Sequence, residues 1–406
     1  MPWLPLLLIV LIDIYAFQAV RTLTADWSLS GRWIVFGIYW AIPVLTALYL
    51  IAGSMGWTES WSKGTESTAR SLVFILYVSK FLIALLMFGD DLRRGVLALL
   101  PQAAEGVRDL SRSRFLATIG VILGSIPFLT LTYGMLRNKY RYTVFKEKVP
   151  IKNLPKALQG FRIVQISDIH SGSFTDKEPV RKAVEIINGV DADVVFFTGD
   201  LVNSISSEMD QYMDVFDKIT ARRGVYSVLG NHDYGDYYRW NSPADKEANF
   251  ERLKTVHKEL GWDLLINENR ELEIEGSKVA VIGVENYSAH PRFPKYGDLP
   301  KAYAGTEEAQ VKLLLSHDPS HWKDQVTQSF QDIDITFSGH THGMQFGIEI
   351  PGWIKWSPIK YMYKQWAGLY QEGQQYLYVN RGLGFLGYPG RVGIMPEITV
   401  LELASA

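Results

Sequence analysis

Arg162-Ile163-Val164-Gln165-Ile166-Ser167-Asp168-Ile169-His170 decides the fold. Its β-branched opening reads as a buried strand, and the run stops at a small residue followed by two metal-capable side chains. The same design returns four times downstream. After 193–198 comes Thr198-Gly199-Asp200; after 225–229, Gly230-Asn231-His232-Asp233; after 311–316, Ser316-His317-Asp318; after 333–338, Gly339-His340-Thr341-His342-Gly343. Loops beyond the carboxyl ends of strands are where open α/β sheets build their sites, so five clusters far apart in sequence can converge on one edge. Carboxylate, imidazole and amide ligands suit borderline or hard divalent ions such as Mn, Fe or Zn. A single Asp-x-His or Gly-Asn-His carries little information. Five in order, each in the same structural context, define a metal centre.

Working outward, further short apolar runs at 279–284, 376–380 and 398–403 complete an α/β layered domain over 158–406. Thr175 and Glu178 form a capping-box pair that predicts a helix ending near Gly189. Upstream, 137–157 is basic and broken by Pro150 and Pro155, as expected of a juxtamembrane linker. Before it, residues 1–136 hold four apolar runs, roughly Trp3–Val20, Trp33–Ala52, Ser71–Phe88 and Phe115–Leu136. Each approaches the ~20 residues a helix needs to cross a bilayer, so a four-span α-helical transmembrane bundle is expected. A signal peptide is disfavoured for the first run because no positive residue precedes it. Asp13 and Lys80 fall near the middles of the first and third spans, and their opposite signs predict an intramembrane ion pair.

The 406 residues carry a net charge of −2, which supplies no basic field for nucleic acid, and no nucleic-acid partner is expected. Cysteine is absent, which excludes disulfides, thiolate metal sites and a cysteine nucleophile. Charge does not orient the bundle cleanly. Arg21, Arg32, Arg93, Arg94, Arg108, Arg112 and Arg114 lie in the loops of one side, while Arg137, Lys139, Arg141, Lys146 and Lys148 follow the last span. A bacterial inner-membrane location with the large domain on the cytoplasmic face is the expectation. Oligomeric state is not encoded in any pattern found.

The ordered set Asp-x-His, Gly-Asp, Gly-Asn-His-Asp, Ser-His and Gly-His-Thr-His resembles the calcineurin-like metallophosphoesterases over roughly residues 158–406. Tyr378-Val379-Asn380-Arg381-Gly382-Leu383-Gly384 and Met395-Pro396-Glu397-Ile398 look like its bacterial membrane-associated, YkuE/YaeI-type branch. The resemblance implies a layered β-sandwich flanked by helices, and two divalent ions with manganese the first choice. It assigns Asp168, His170 and His342 to one ion, Asn231, His317 and His340 to the other, and Asp200 to both. Two ions ~3.5–4 Å apart activate a bridging water and neutralise charge on phosphoryl oxygens. His232 is then the proton donor or transition-state stabiliser, with Asp233 orienting it. Met344 stands where that branch usually has glycine, which bears on the local backbone.

Trp353, Trp356, Tyr361, Tyr363, Trp366 and Tyr370, interleaved with Lys355, Lys360 and Lys364, suggest a surface dipping toward lipid. Beside a tethered phosphate-cleaving site, that points to a phosphorylated lipid or nucleotide-lipid, such as a UDP-diacylglucosamine-like molecule. Arg381 and Arg391 are the candidates to grip its phosphate, with Trp353 and Trp356 against its lipid part. A phosphodiesterase for soluble nucleotides and a non-catalytic membrane sensor are the alternatives. Of the other histidines, His257 is expected to be solvated, His290 to lie in a loop, and His321 to be structural rather than part of the cleft.

Overall fold

The computed structural model describes residues 3–58, 60–99, 110–350 and 352–406; Arg108 and the side chain of Arg112 lie outside the described residues. The chain divides into two compact units, Met1–Gly134 and Met135–Ala406.

Among the described residues the first unit holds four α-helices: α1 (Trp3–Leu23), α2 (Leu29–Ser54), α3 (Lys63–Ala98) and α4 (Leu110–Tyr133). Among the described residues, Leu29–Ser54, Lys63–Ala98 and Ser113–Asn138 are long and apolar enough to cross a bilayer, with mean hydropathy of 1.9 to 2.3. α1, at 21 residues, has the length of a fourth span. Helices suit such sequences because a bilayer offers no water to satisfy backbone polar groups. Ser28 and Ser62 cap α2 and α3 by accepting from the backbone N–H groups of Gly31 and Thr65. The predicted ion pair is present: Lys80 Nζ lies 2.6 Å from Asp13 Oδ1, with both side chains buried. Tyr77 donates to the other carboxylate oxygen at 2.7 Å, and Tyr39 donates to the Asp13 backbone carbonyl.

The second unit contains fourteen described strands: β1 (Thr143–Ile151), β2 (Arg162–Ile166), β3 (Val194–Phe197), β4 (Val225–Ser227), β5 (Trp262–Leu264), β6 (Glu268–Ile274), β7 (Ser277–Gly283), β8 (Val311–Leu315), β9 (Ile335–Ser338), β10 (Ile348–Ile350), β11 (Ile354–Trp356), β12 (Gly368–Glu372), β13 (Gln375–Val379) and β14 (Glu397–Ser405). Two mixed six-stranded sheets, ordered β1-β14-β2-β3-β4-β5 and β12-β13-β9-β8-β7-β6, pack face to face. Ile163, Val194 and Phe196 of one sheet meet Val279, Leu313 and Phe337 of the other in a shared apolar core. Helices cover both outer faces, the first sheet's through Val180, Val184 and Val256, the second's through Leu299 and Trp322. This is the expected layered sandwich flanked by helices.

Three local readings change. The stretch expected to be a linker carries β1, nine residues paired in parallel with β14. It escapes a strand pattern because it is an edge, where alternating lysines and Pro150 are tolerated. The helix after β2, α5 (Lys177–Gly189), starts at Asp176, whose carboxylate accepts from the Glu178 N–H, in place of a Thr175 capping box. His257 is fully buried, with Nδ1 3.0 Å from Ser227 Oγ, so it is not a solvated helix residue.

Candidate metal centre

Each motif sits where a central strand ends. β2 delivers Asp168 and His170, β3 delivers Asp200, β4 Asn231 and His232, β8 His317, and β9 His340 and His342. The backbone there is unusual: Asp168, His170, Asp200, His340 and His342 all have positive φ, between 47° and 72°. Left-handed conformations in non-glycine residues cost on the order of 1 kcal/mol each and persist only when surroundings impose them. A lattice of hydrogen bonds does so. Asp168 N donates to Gly199 O at 2.9 Å, His170 N to Asp200 O at 3.1 Å, and Gly384 N to Asp168 O at 2.9 Å. Gly199, at φ 94°, is required for closeness as well as conformation, since a Cβ there would stand 2.5 Å from Gly230 N.

The side chains converge in two groups whose donor atoms lie within 4.8 Å of one another: Asp168, His170 and His342, and Asp200, His317 and His340. Asp200 Oδ2 stands between the groups, 3.5 Å from His170 Nε2 and 3.2 Å from His317 Nε2. Asn231 Oδ1 lies 2.8 Å from His340 Nδ1. All seven sequence-identified ligand candidates are therefore brought together. Both ring nitrogens of His170 and Nε2 of His342 are buried and have no hydrogen-bond partner among the described residues. Buried imidazole nitrogens aimed at carboxylates without bonding to them fit a site that holds cations. The electrostatics agree. Burial resists charge on Asp200, but His317 and His232 hold its carboxyl well below the usual range. Burial also works against His317, which the Asp200 carboxylate nonetheless raises to about 10, while burial lowers His170 to about 3.

His232 is held differently from its expected partner. Its Nδ1 lies 2.7 Å from the Asn203 carbonyl, which fixes the ring with Nε2 free, and the ring packs against His170 and Tyr237. Asp233 does not touch it. Its carboxylate instead accepts from the backbone N–H groups of Asp200, Leu201, Val202 and Gly230 at 2.8–3.3 Å, clamping the β3 and β4 loops together. Adjacent residues on a tight turn diverge, so proximity in sequence misled here.

Arg381 and Arg391 are not phosphate grips, because both are buried and their terminal guanidinium nitrogens are bonded within the protein. Arg381 Nη1 and Nη2 pair with Glu397 and Glu349 at 2.5 Å. Arg391 donates to the carbonyls of Arg381 at 2.7 Å, His342 at 3.2 Å and Gly382 at 3.1 Å, bracing the loop behind the ligands. Trp353 and Trp356 sit on the β10–β11 hairpin, outside the residues lining the cleft. The aromatic segment divides: Tyr363 and Trp366 are core, whereas Trp353 and Tyr361 are exposed.

Sequence reasoning missed Tyr363 as a site residue. Its hydroxyl lies 2.9 Å from His340 Nε2 and 3.2 Å from Asp318 Oδ2. No local signal marks it among so many aromatics. Phe293, Ile359, Met362 and Leu386 complete the cleft, giving a polar floor an apolar mouth. His321 is buried between Ser316 and Gln325, a structural residue as expected.

Two stacked sheets with ligands at their strand ends define a metallophosphoesterase. Residues 161–344 match the family model for calcineurin-like phosphoesterases, and residues 1–139 match a model described as probable calcineurin-like phosphoesterase, transmembrane domain. The chain belongs to the calcineurin-like metallophosphoesterases, with an N-terminal transmembrane domain. It is similar to a Danio rerio "transmembrane protein with metallophosphoesterase domain", 29% identical over 377 residues, covering 90% of this chain and 81% of the relative. The Bacillus subtilis metallophosphoesterases YkuE and YkoQ are 27% and 26% identical, with coverage of 74% and 70% of this chain and 99% of each relative. Membrane association and a site for divalent metal follow from the family and the ligand groups together.

Proposed function

We propose that the protein is a metal-dependent hydrolase of phosphoester or phosphoanhydride bonds, acting on a lipid-borne substrate at the bacterial inner membrane, from the cytoplasmic face. The observation that carries this reading is the pair of adjoining ligand groups, with unpartnered imidazole nitrogens, at the floor of a cleft whose mouth is apolar. Asp168, His170 and His342 would hold one divalent ion and Asn231, His317 and His340 a second, with Asp200 placed to serve both; manganese is the first candidate. Bound there, such ions supply Lewis acidity toward phosphoryl oxygens and acidify water.

The chain's own groups do the rest. Asp233 fixes the loop bearing Asp200 and thereby its carboxylate. The Asn203 carbonyl accepts from His232 Nδ1–H and so directs Nε2 to the cleft, where the imidazolium form would pass its Nε2 proton to the leaving oxygen. Phe293, Ile359, Met362 and Leu386 exclude water and favour a substrate with an apolar part next to its phosphate.

The reading is tested by incubating a lipid extract with manganese-loaded full-length protein and with an Asp200→Asn variant. A phosphorylated lipid or nucleotide-lipid consumed only by the wild type is the expected result. Turnover confined to soluble nucleotides, or no turnover with metal bound, overturns it in favour of a soluble-substrate phosphodiesterase or a sensor.

A further inference from the structure

The β10 strand of the β10–β11 hairpin is inside out for a surface that faces water, its isoleucines being exposed and its glutamate half-buried. Its register pairs Ile348 with Trp356 and Ile350 with Ile354, and directly paired residues share one face of a ribbon. Glu349 and Lys355 therefore share the other face, and their charged ends reach inward although Lys355 itself stays exposed. The Glu349 carboxylate accepts from Arg381 Nε at 3.0 Å, and the Lys355 ammonium lies over the rings of Trp366 and Tyr370. The apolar face is covered unevenly: Ile354 and Trp356 are half-buried, while Ile348 and Ile350 are 50% and 42% exposed. A half-solvated ribbon normally has the opposite alternation. Trp353, after the β10 strand, is 78% exposed, and Tyr361 and Met362 follow it outside. Apolar exposure concentrated in this way marks an interaction surface.

A second observation says what lies against it. The last residue of the apolar segment Ser113–Asn138 belongs to the same unit as the hairpin. Asn138 Nδ2 donates to the Arg391 carbonyl at 3.0 Å. The next residue, Val392, bridges to Phe346 and accepts from Gly347 N–H at 2.9 Å. Asn138 and the start of the hairpin thus bond to adjacent positions, 391 and 392, of one short extended segment. With neighbouring strands ~5 Å apart, the hairpin base lies within roughly 10 Å of Asn138, the last residue of the apolar segment. The headgroup layer of a bilayer is roughly 5–8 Å deep on each side of its core.

We propose that the β10–β11 hairpin, with Trp353 and Tyr361 beside it, docks into the interfacial layer of the same bilayer the chain crosses, its partner being phospholipid. Isoleucines supply the buried face, Trp353 and Tyr361 the amphipathic rings that favour this depth, and exposed Lys360 and Lys364 a charge for lipid phosphate. Because Ile359 and Met362 line the cleft mouth, the ligand groups then open at headgroup level. That consequence rests on the phosphohydrolase reading; the docking does not.

The chain has no cysteine, so single labels are specific. Full-length Ile350→Cys, Trp353→Cys and Glu185→Cys, each carrying the environment-sensitive fluorophore NBD, are placed in phosphatidylcholine/phosphatidylglycerol nanodiscs with and without lipid spin-labelled near the headgroup. Emission at 350 and 353 should fall by about two-fold or more, and that at the exposed Glu185 position by less than about 10%. Absence of quenching at 350 or 353 overturns the proposal, whether the label is wet or is shielded by a second copy of the chain. Quenching needs no turnover, so its failure is separate from failure of the hydrolase reading.

Discussion

The membrane unit and the phosphoesterase unit each bury carboxylates among rings and basic groups, and they settle the charge in opposite ways. Around Asp13 every partner is protein: Lys80 and Tyr77 take one carboxylate oxygen each. Around Asp200 the protein supplies too many acceptors. Two histidines stand near its Oδ2, while His170 and His342 keep nitrogens that make no hydrogen bond among the described residues. A closed cluster stabilises one packing of helices; an open one needs ions from outside. Buried charge alone therefore says little about function, and the unpartnered donor is the discriminating sign.

The difference is broken most severely at Asp200. Asp200→Ala should abolish turnover and lower bound metal, since both ligand groups lose a shared anion; full activity with two metals retained would falsify the open-cluster assignment. His232→Asn should leave metal content intact and lower kcat by ~10²–10⁴-fold, less for substrates with better leaving groups. Loss of metal in that variant, read by elemental analysis, would move His232 into the ligand set.

In the closed cluster, Asp13→Ala or Lys80→Ala alone should cost ~3–5 kcal/mol, because each strands a buried charge. The double variant should cost less than the sum, and strictly additive melting shifts in detergent would show that the pair contributes no coupling.

His257, buried away from the ligand groups, carries a pH signature. Burial lowers it from 6.5 to about 3, so the folded state binds fewer protons than the unfolded chain. Its contribution is complete above pH 6.5 and is lost as pH falls toward 3, amounting to about 2 kcal/mol by pH 5. Relative to wild type, His257→Gln should show a flatter stability profile between pH 6.5 and 5 by that amount; parallel profiles would contradict it. The smallest effect concerns Met344, exposed and at φ 55°. Met344→Gly should raise the melting temperature by the equivalent of ~0.5 kcal/mol, relief of the left-handed backbone being partly offset by a freer unfolded chain.

The ligands were legible because each follows a strand and a small residue, a local pattern that topology then gathers at one edge. Eight strands were legible for the same reason, from β2 to β14. What local pattern cannot carry is the identity of a distant partner. Arg381 looks free until Glu349 and Glu397 arrive from other loops, and Asp233 looks like a partner of His232 until its carboxylate is seen to cap Asp200–Val202. β1 was hidden because an edge strand needs only one good neighbour, and its neighbour lies at the far end of the sequence.

That last pairing sets a timetable. β1 emerges directly after the fourth helix, yet β14 begins 397 − 143 = 254 residues later. At the usual ~5–20 residues per second of synthesis, the wait is roughly 13–50 s. Throughout it, nine residues of unpaired edge stand beside the membrane while β2, β3 and β4 are already able to assemble. The lysines and the proline along β1 then serve the nascent chain as well as the finished one, by discouraging a neighbouring copy from taking the place reserved for β14.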